Sequence, residues 1–149
     1  MKSRFFLYGI LLFALIGAAD AGYLSSVALS GDALTCNFLK GCEVVAMSPY
    51  SRVLGVPLSV FGFFFYLVSG GLAGWLLRTP SRSAAILLMG VSSLGVLASL
   101  YFMYLQGFVI RAWCEYCILS AITSLLVFLS AAAYFMKERA AEENNDAKA

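Results

Sequence analysis

The sequence predicts an all-α integral membrane protein, a four-transmembrane-helix bundle, and three observations carry that prediction. Of its 149 residues 62% are hydrophobic and only 12% charged, against about 45–50% and about 25% in a soluble domain. Cutting the chain at its charged residues leaves uncharged stretches at 53–77, 83–110 and 116–136, of 25, 28 and 21 residues. Each is long enough for the roughly 20 apolar residues that a helix needs to cross a bilayer. A fourth apolar stretch, 5–29, is broken only by Asp20.

The first helix is expected over about 5–29, and an outer loop over 30–55 follows it. Its start also reads as a cleavable secretory signal, because Lys2 and Arg4 precede an apolar run that reaches Ala19-Asp20-Ala21. Against that, the apolar pattern continues through Tyr23-Leu24 and Val27-Ala28-Leu29. Asp20 is expensive in lipid, about 2.5–3.5 kcal/mol on insertion scales, so it should face the bundle. There it would either hold a structural hydrogen bond or help to move protons.

The second and third helices are expected over about 56–77 and 84–107, joined by the turn Arg78-Thr79-Pro80-Ser81-Arg82. Gly90, Ser92, Ser93, Gly95, Ala98 and Ser99 give the third helix a small-residue surface for close packing. The aromatic residues at 61–66 and 101–104 are expected to face lipid or the bundle, some of them able to stack on a flat ring. The fourth helix is expected over about 113–136, which makes 1–136 one membrane domain. The Glu-, Asn- and Ala-rich tail, 137–149, has no apolar face to bury and is expected to be disordered.

Charge sets the expected orientation. Lys2, Arg4, Arg78, Arg82, Lys137, Arg139 and Lys148 fall on one side of this arrangement, and Lys40, Arg52 and Arg111 on the other. The positive-inside rule then puts both termini in the cytoplasm and the cysteines outside, in a multi-pass protein of the plasma (inner) membrane. The basic residues form no dense patch, so no nucleic-acid partner is expected. With no histidine in the chain, Ser-His-Asp catalysis and His-ligated haem, zinc or copper are excluded. Neither a metal nor a flavin is expected.

Four cysteines remain as the reactive chemistry. Cys114 and Cys117, within Trp113-Cys114-Glu115-Tyr116-Cys117, share one helix face at i and i+3. A helix start favours a thiolate on Cys114; Arg111 should reinforce that field and Glu115 oppose it. Cys36 and Cys42, with five residues between them including Gly41, would close a short exposed loop open to exchange. Two readings compete with redox work: a pair of inert disulfides in a membrane scaffold or small-solute channel, and a four-cysteine zinc site. An oxidising outer compartment disfavours the zinc site.

Cys36 and Cys42, Ser48-Pro49-Tyr50-Ser51, Gly55-Val56-Pro57-Leu58-Ser59 with Gly62, and Trp113 to Cys117 together resemble the vitamin K epoxide reductase family and its bacterial thiol:quinone oxidoreductases. DsbB proteins also use two cysteine pairs, but in the reverse order along the chain. The resemblance implies that Cys114 and Cys117 are the membrane-proximal redox pair and that Cys117 faces the quinone. Cys36 and Cys42 would be the shuttle, with Cys42 meeting the partner and Cys36 trading with Cys114. Ser48 matches a position near the quinone pocket. Animal members carry a tyrosine where Ala121 stands, which speaks against vitamin K epoxide as substrate.

The implied activity is re-oxidation of a thiol carrier with a ubiquinone- or menaquinone-type acceptor, in support of disulfide formation. Because the chain ends at Ala149, the expected partner is a separate extracytoplasmic thioredoxin-fold (DsbA-like) protein.

Overall fold

The computed structural model describes residues 2–147; Lys148, counted above among the cytoplasmic-side charges, and Ala149 lie outside them. The elements are α1 (Lys2–Ser30), a short α2 (Cys42–Met47), a 3-10 turn (Pro49–Ser51), strands β1 (Arg52–Val53) and β2 (Val56–Pro57), α3 (Leu58–Arg78), α4 (Arg82–Tyr104), a π-helical turn (Leu105–Ile110) and α5 (Glu115–Asp146). Four helices are long and apolar enough to span a membrane, as the uncharged stretches require. α1 runs through Asp20 without a break. The protein is a multi-pass membrane helical bundle.

α1 packs chiefly on α3 and α5, and α5 also on α4. Small residues set the closeness of α1 and α3: a methyl group at Gly70 would lie 3.5 Å from Ala14 Cβ, and one at Gly62 would lie 3.7 Å from Ala21 Cβ. Gly17 leaves room for the Tyr66 ring, which a side chain there would strike. The half of the bundle nearer the chain termini is solid, with Leu7, Ile10, Leu76, Leu88, Val127 and Tyr134 in one buried cluster. Lipid-facing positions such as Leu15, Leu97 and Leu100 are exposed, as a chain dissolved in hydrocarbon allows.

The outer loop is a structured cap rather than an open connection. Its hairpin turns on Leu54 and Gly55, at φ 52° and 84°, the left-handed pair that a two-residue turn between twisted strands needs. Arg52 ties the cap to the bundle by donating to the carbonyls of Gly55 and Ala28 at 3.4 and 3.2 Å.

The tail departs from expectation. α5 continues to Asp146, so most of the stretch expected to be disordered is helical. Its Ala-, Glu- and Lys-rich sequence has high helix propensity and needs no buried face to extend a helix already nucleated in the bundle. Tyr134 donates to Glu138 at 3.0 Å and Arg82 pairs with Glu142 at 3.3 Å, holding the extension beside the start of α4.

Candidate redox site

All four cysteines collect at the end of the bundle opposite the termini. Cys42 and Cys114 are buried with Leu34 in one cluster, and Cys36, Cys117 and Tyr116 pack against it. Cys36 and Cys42 are disulfide-bonded, with Cα atoms 5.6 Å apart, whereas Cys114 and Cys117 are free thiols. Exposure also separates the loop sulfurs: Cys42 is 1% exposed and Cys36 is half-buried.

Cys114 sits just before α5, where its carbonyl accepts the Ile118 N–H at 3.1 Å. This is the helix-start position the sequence suggests. Its own N–H donates to Gln106 Oε1 at 2.9 Å. Gln106 is 2% exposed and lies in the π-helical turn, after which Arg111 takes a left-handed φ of 55°. The one wide turn rotates Gln106 inward to meet Cys114, a placement that such π-turns make at functional sites. Sequence reasoning passed over Gln106; the signal was an isolated amide inside an apolar stretch.

The Cys117 thiol's hydrogen bond to Cys114 holds the Cys114 thiol below its ordinary value, with burial opposing it and the N–H groups of Cys117 and Tyr116 helping. Glu115 does not stand free to oppose that field. Its carboxylate accepts the backbone N–H groups of Asn37, Phe38 and Leu39 at 2.8, 2.9 and 3.4 Å. At the other end of the loop, a methyl group at Gly41 would fall 2.5 Å from the Trp113 carbonyl oxygen. Only glycine permits that approach.

Beneath the cap lies a cavity of about 1050 Å³, to which Cys42, Cys114 and Cys117 all contribute. Its apolar wall includes Leu24, Phe65 and Phe102, and Ser48 and Ala121 also line it. Ser48 Oγ donates to the Val45 carbonyl at 2.7 Å, so its hydroxyl caps the end of α2. Hydroxyl groups mark the deeper wall. Tyr66 Oη lies 2.7 Å from Thr123 Oγ1 and 3.0 Å from Ser120 Oγ, and Ser99 pairs with Ser124 at 2.7 Å. Of the clustered aromatic residues, Phe61, Phe65, Tyr66 and Phe102 reach the cavity, while Phe64, Tyr101 and Tyr104 face outward.

Asp20 faces the bundle at 7% exposure, and neither carboxylate oxygen has a hydrogen-bond partner among the described residues. The structural hydrogen bond expected as one account of it is not made. Contacts of Tyr23 with Tyr116 and of Gly9 with Ser130 fix an antiparallel register between α1 and α5 that sets Asp20 level with the turn after Cys117.

The chain is 33% identical over 120 residues to a curated protein of Arabidopsis thaliana, the thiol-disulfide oxidoreductase LTO1. The match covers 73% of this chain and 31% of that relative, so the chain spans about a third of the length of the protein it resembles. Residues 8–132, from the first helix to well inside the last, match the model of the vitamin K epoxide reductase family. The matched stretch takes in both cysteine pairs and every helix that walls the cavity, and on that extent the chain belongs to the vitamin K epoxide reductase family.

Proposed function

We propose that this protein is a membrane thiol oxidoreductase that draws electrons from a separate extracytoplasmic thioredoxin-fold (DsbA-like) protein and passes them to a membrane quinone, in support of disulfide formation. The observation that carries the reading is the continuity of the thiol path. A strained-open loop is not needed, because the bonded pair is already packed onto Cys114, and Cys117 opens on an apolar cavity within the bundle. The likeness to a thiol-disulfide oxidoreductase supports it. The excess of basic residues on the terminal side supports cytoplasmic termini in the plasma (inner) membrane.

Burial sets the order of exchange. A partner thiolate attacks the half-exposed Cys36, forming a mixed disulfide and releasing Cys42 as a thiolate. The partner's second thiolate then leaves with its own disulfide closed, and Cys36 is freed. Cys42, buried beside Cys114, attacks it in a Cys114–Cys117 disulfide and expels Cys117 as a thiolate. Attack of Cys36 on Cys42 restores the loop bond and leaves Cys114 and Cys117 reduced, which is the state in this structure. This order reverses the one implied by the resemblance, in which Cys42 met the partner.

The cavity fits a quinone headgroup. Its volume is at the upper end of the usual range for ligand sites, about 300–1,000 Å³, its walls are apolar and aromatic, and Ser120 adds a side-chain hydroxyl to the lining. Bound there, a quinone would take the two electrons and two protons that Cys114 and Cys117 release as their disulfide forms. Cys117 faces that space, and Cys114 closes the disulfide on it.

The test is quinone reduction by the purified protein, followed by absorbance, with reduced DsbA or dithiothreitol as donor. The parent should turn over with both donors, and Cys117→Ala with neither. A parent protein that reduces no quinone with either donor, while its cysteines remain titratable, overturns the reading.

A further inference from the structure

Three successive backbone N–H groups at the crown of the disulfide loop converge on one side chain, and that side chain lies between the two cysteines of the other pair. Glu115 Oε1 accepts from Asn37 at 2.8 Å, and Oε2 accepts from Phe38 at 2.9 Å and, more weakly, from Leu39 at 3.4 Å. The donors belong to the backbone, so they are fixed by the shape of the loop rather than by its side chains. A single carboxylate that gathers such a set acts as an anchor for a segment that otherwise turns outward. Phe38, in the middle of it, is 92% exposed, and no side-chain packing of its own holds it down. The rest of the attachment is the burial of Leu34 and Cys42 and the seat of Gly41 on the Trp113 backbone.

We propose that Glu115 is a positioning residue that docks the Cys36–Cys42 loop onto the start of α5 and so raises the effective concentration of the loop thiol at Cys114. The inference rests on reading the site as a thiol relay. Its physical content is that transfer between the two pairs is intramolecular, so its equilibrium depends on how much of the time the loop sits in place. Glu115 does not line the cavity; it acts through the loop backbone. The role belongs to the side chain and not to charge alone, since the two oxygens divide three donors between them.

The experiment isolates that step from both partner and quinone. In a Cys36→Ala/Cys117→Ala background, only Cys42 and Cys114 remain, and their bond is titrated against dithiothreitol to give an effective molarity. Adding Glu115→Ala should lower that value about five-fold or more, the scale of one or two charge-assisted hydrogen bonds at a partly exposed site. Glu115→Gln, which keeps one acceptor oxygen, should fall between the two, and the unfolding midpoints should change little. Equal effective molarities in the three proteins would overturn the latch. Failure of the Cys42–Cys114 bond to form even with Glu115 present would instead overturn the sulfur order on which the relay rests.

Discussion

Gln106 Oε1 accepts the backbone N–H of Cys114 at 2.9 Å, so the π-helical turn that ends α4 holds the first cysteine of the Cys114/Cys117 pair by its main chain. Both partners are buried, at 2% and 1% exposure. Gln106→Leu keeps the bulk and removes the acceptor, leaving a buried donor unpaired at a loss of about 1–3 kcal/mol. The expected result is a lower unfolding midpoint in detergent together with a changed reactivity of Cys114 towards small alkylating reagents. An unchanged midpoint would show that the N–H finds another acceptor.

The acidity of Cys114 has a named source, the hydrogen bond from Cys117. Alkylation of Cys114 followed by mass spectrometry across a pH series should therefore give a midpoint below the ordinary thiol value of about 8.5. Cys117→Ala removes the donor while burial remains, so the midpoint should move up. The thiolate is populated above that midpoint and lost as pH falls through it; the variant should need more alkaline solution for the same rate. Coincident curves for the two proteins would count against this origin.

The proposed sulfur order predicts which bond can be trapped. With Cys117 changed to Ala, the Cys36→Ala protein should form a Cys42–Cys114 bond readily, and the Cys42→Ala protein should form Cys36–Cys114 more slowly, because Cys36 is the less buried loop sulfur. Non-reducing digestion and peptide mass spectrometry read both. Faster formation of Cys36–Cys114 would restore the opposite order.

The orientation can be tested in a protein whose native cysteines are replaced. A membrane-impermeant maleimide applied to intact cells should label Asp32→Cys at the cap and spare Ala141→Cys on the α5 extension, following the distribution of basic residues. Labelling confined to Ala141→Cys would invert the assignment.

Much of this architecture is legible in composition alone, because a membrane leaves a chain few options. Backbone groups in hydrocarbon must be paired within their own segment, so uncharged stretches of 21 to 28 residues have to be helices. The spacing of Cys114 and Cys117 places them on one helix face, and the order of the two cysteine pairs carries the family likeness. The tail's composition carries no such constraint: a helix projecting from a bundle needs propensity and not a buried stripe, and α5 runs on to Asp146.

Other features depend on contacts that no local pattern encodes. Glu115 and Asn37 are 78 positions apart, and nothing near either residue indicates that a carboxylate expected to oppose a thiolate would bind a distant loop instead. The inward turn of Gln106 follows from one extra residue in a helical turn, which periodicity cannot register. The relative burial of Cys36 and Cys42, on which the proposed direction of exchange rests, is fixed by the cap folding over Leu34 and Cys114. The sequence determined which elements cross the membrane and which chemistry they bring, since both follow from residue type and short-range spacing. The tertiary structure decided which sulfur is hidden, what holds the loop, and where the cavity opens, since these arise only when segments far apart in the chain meet.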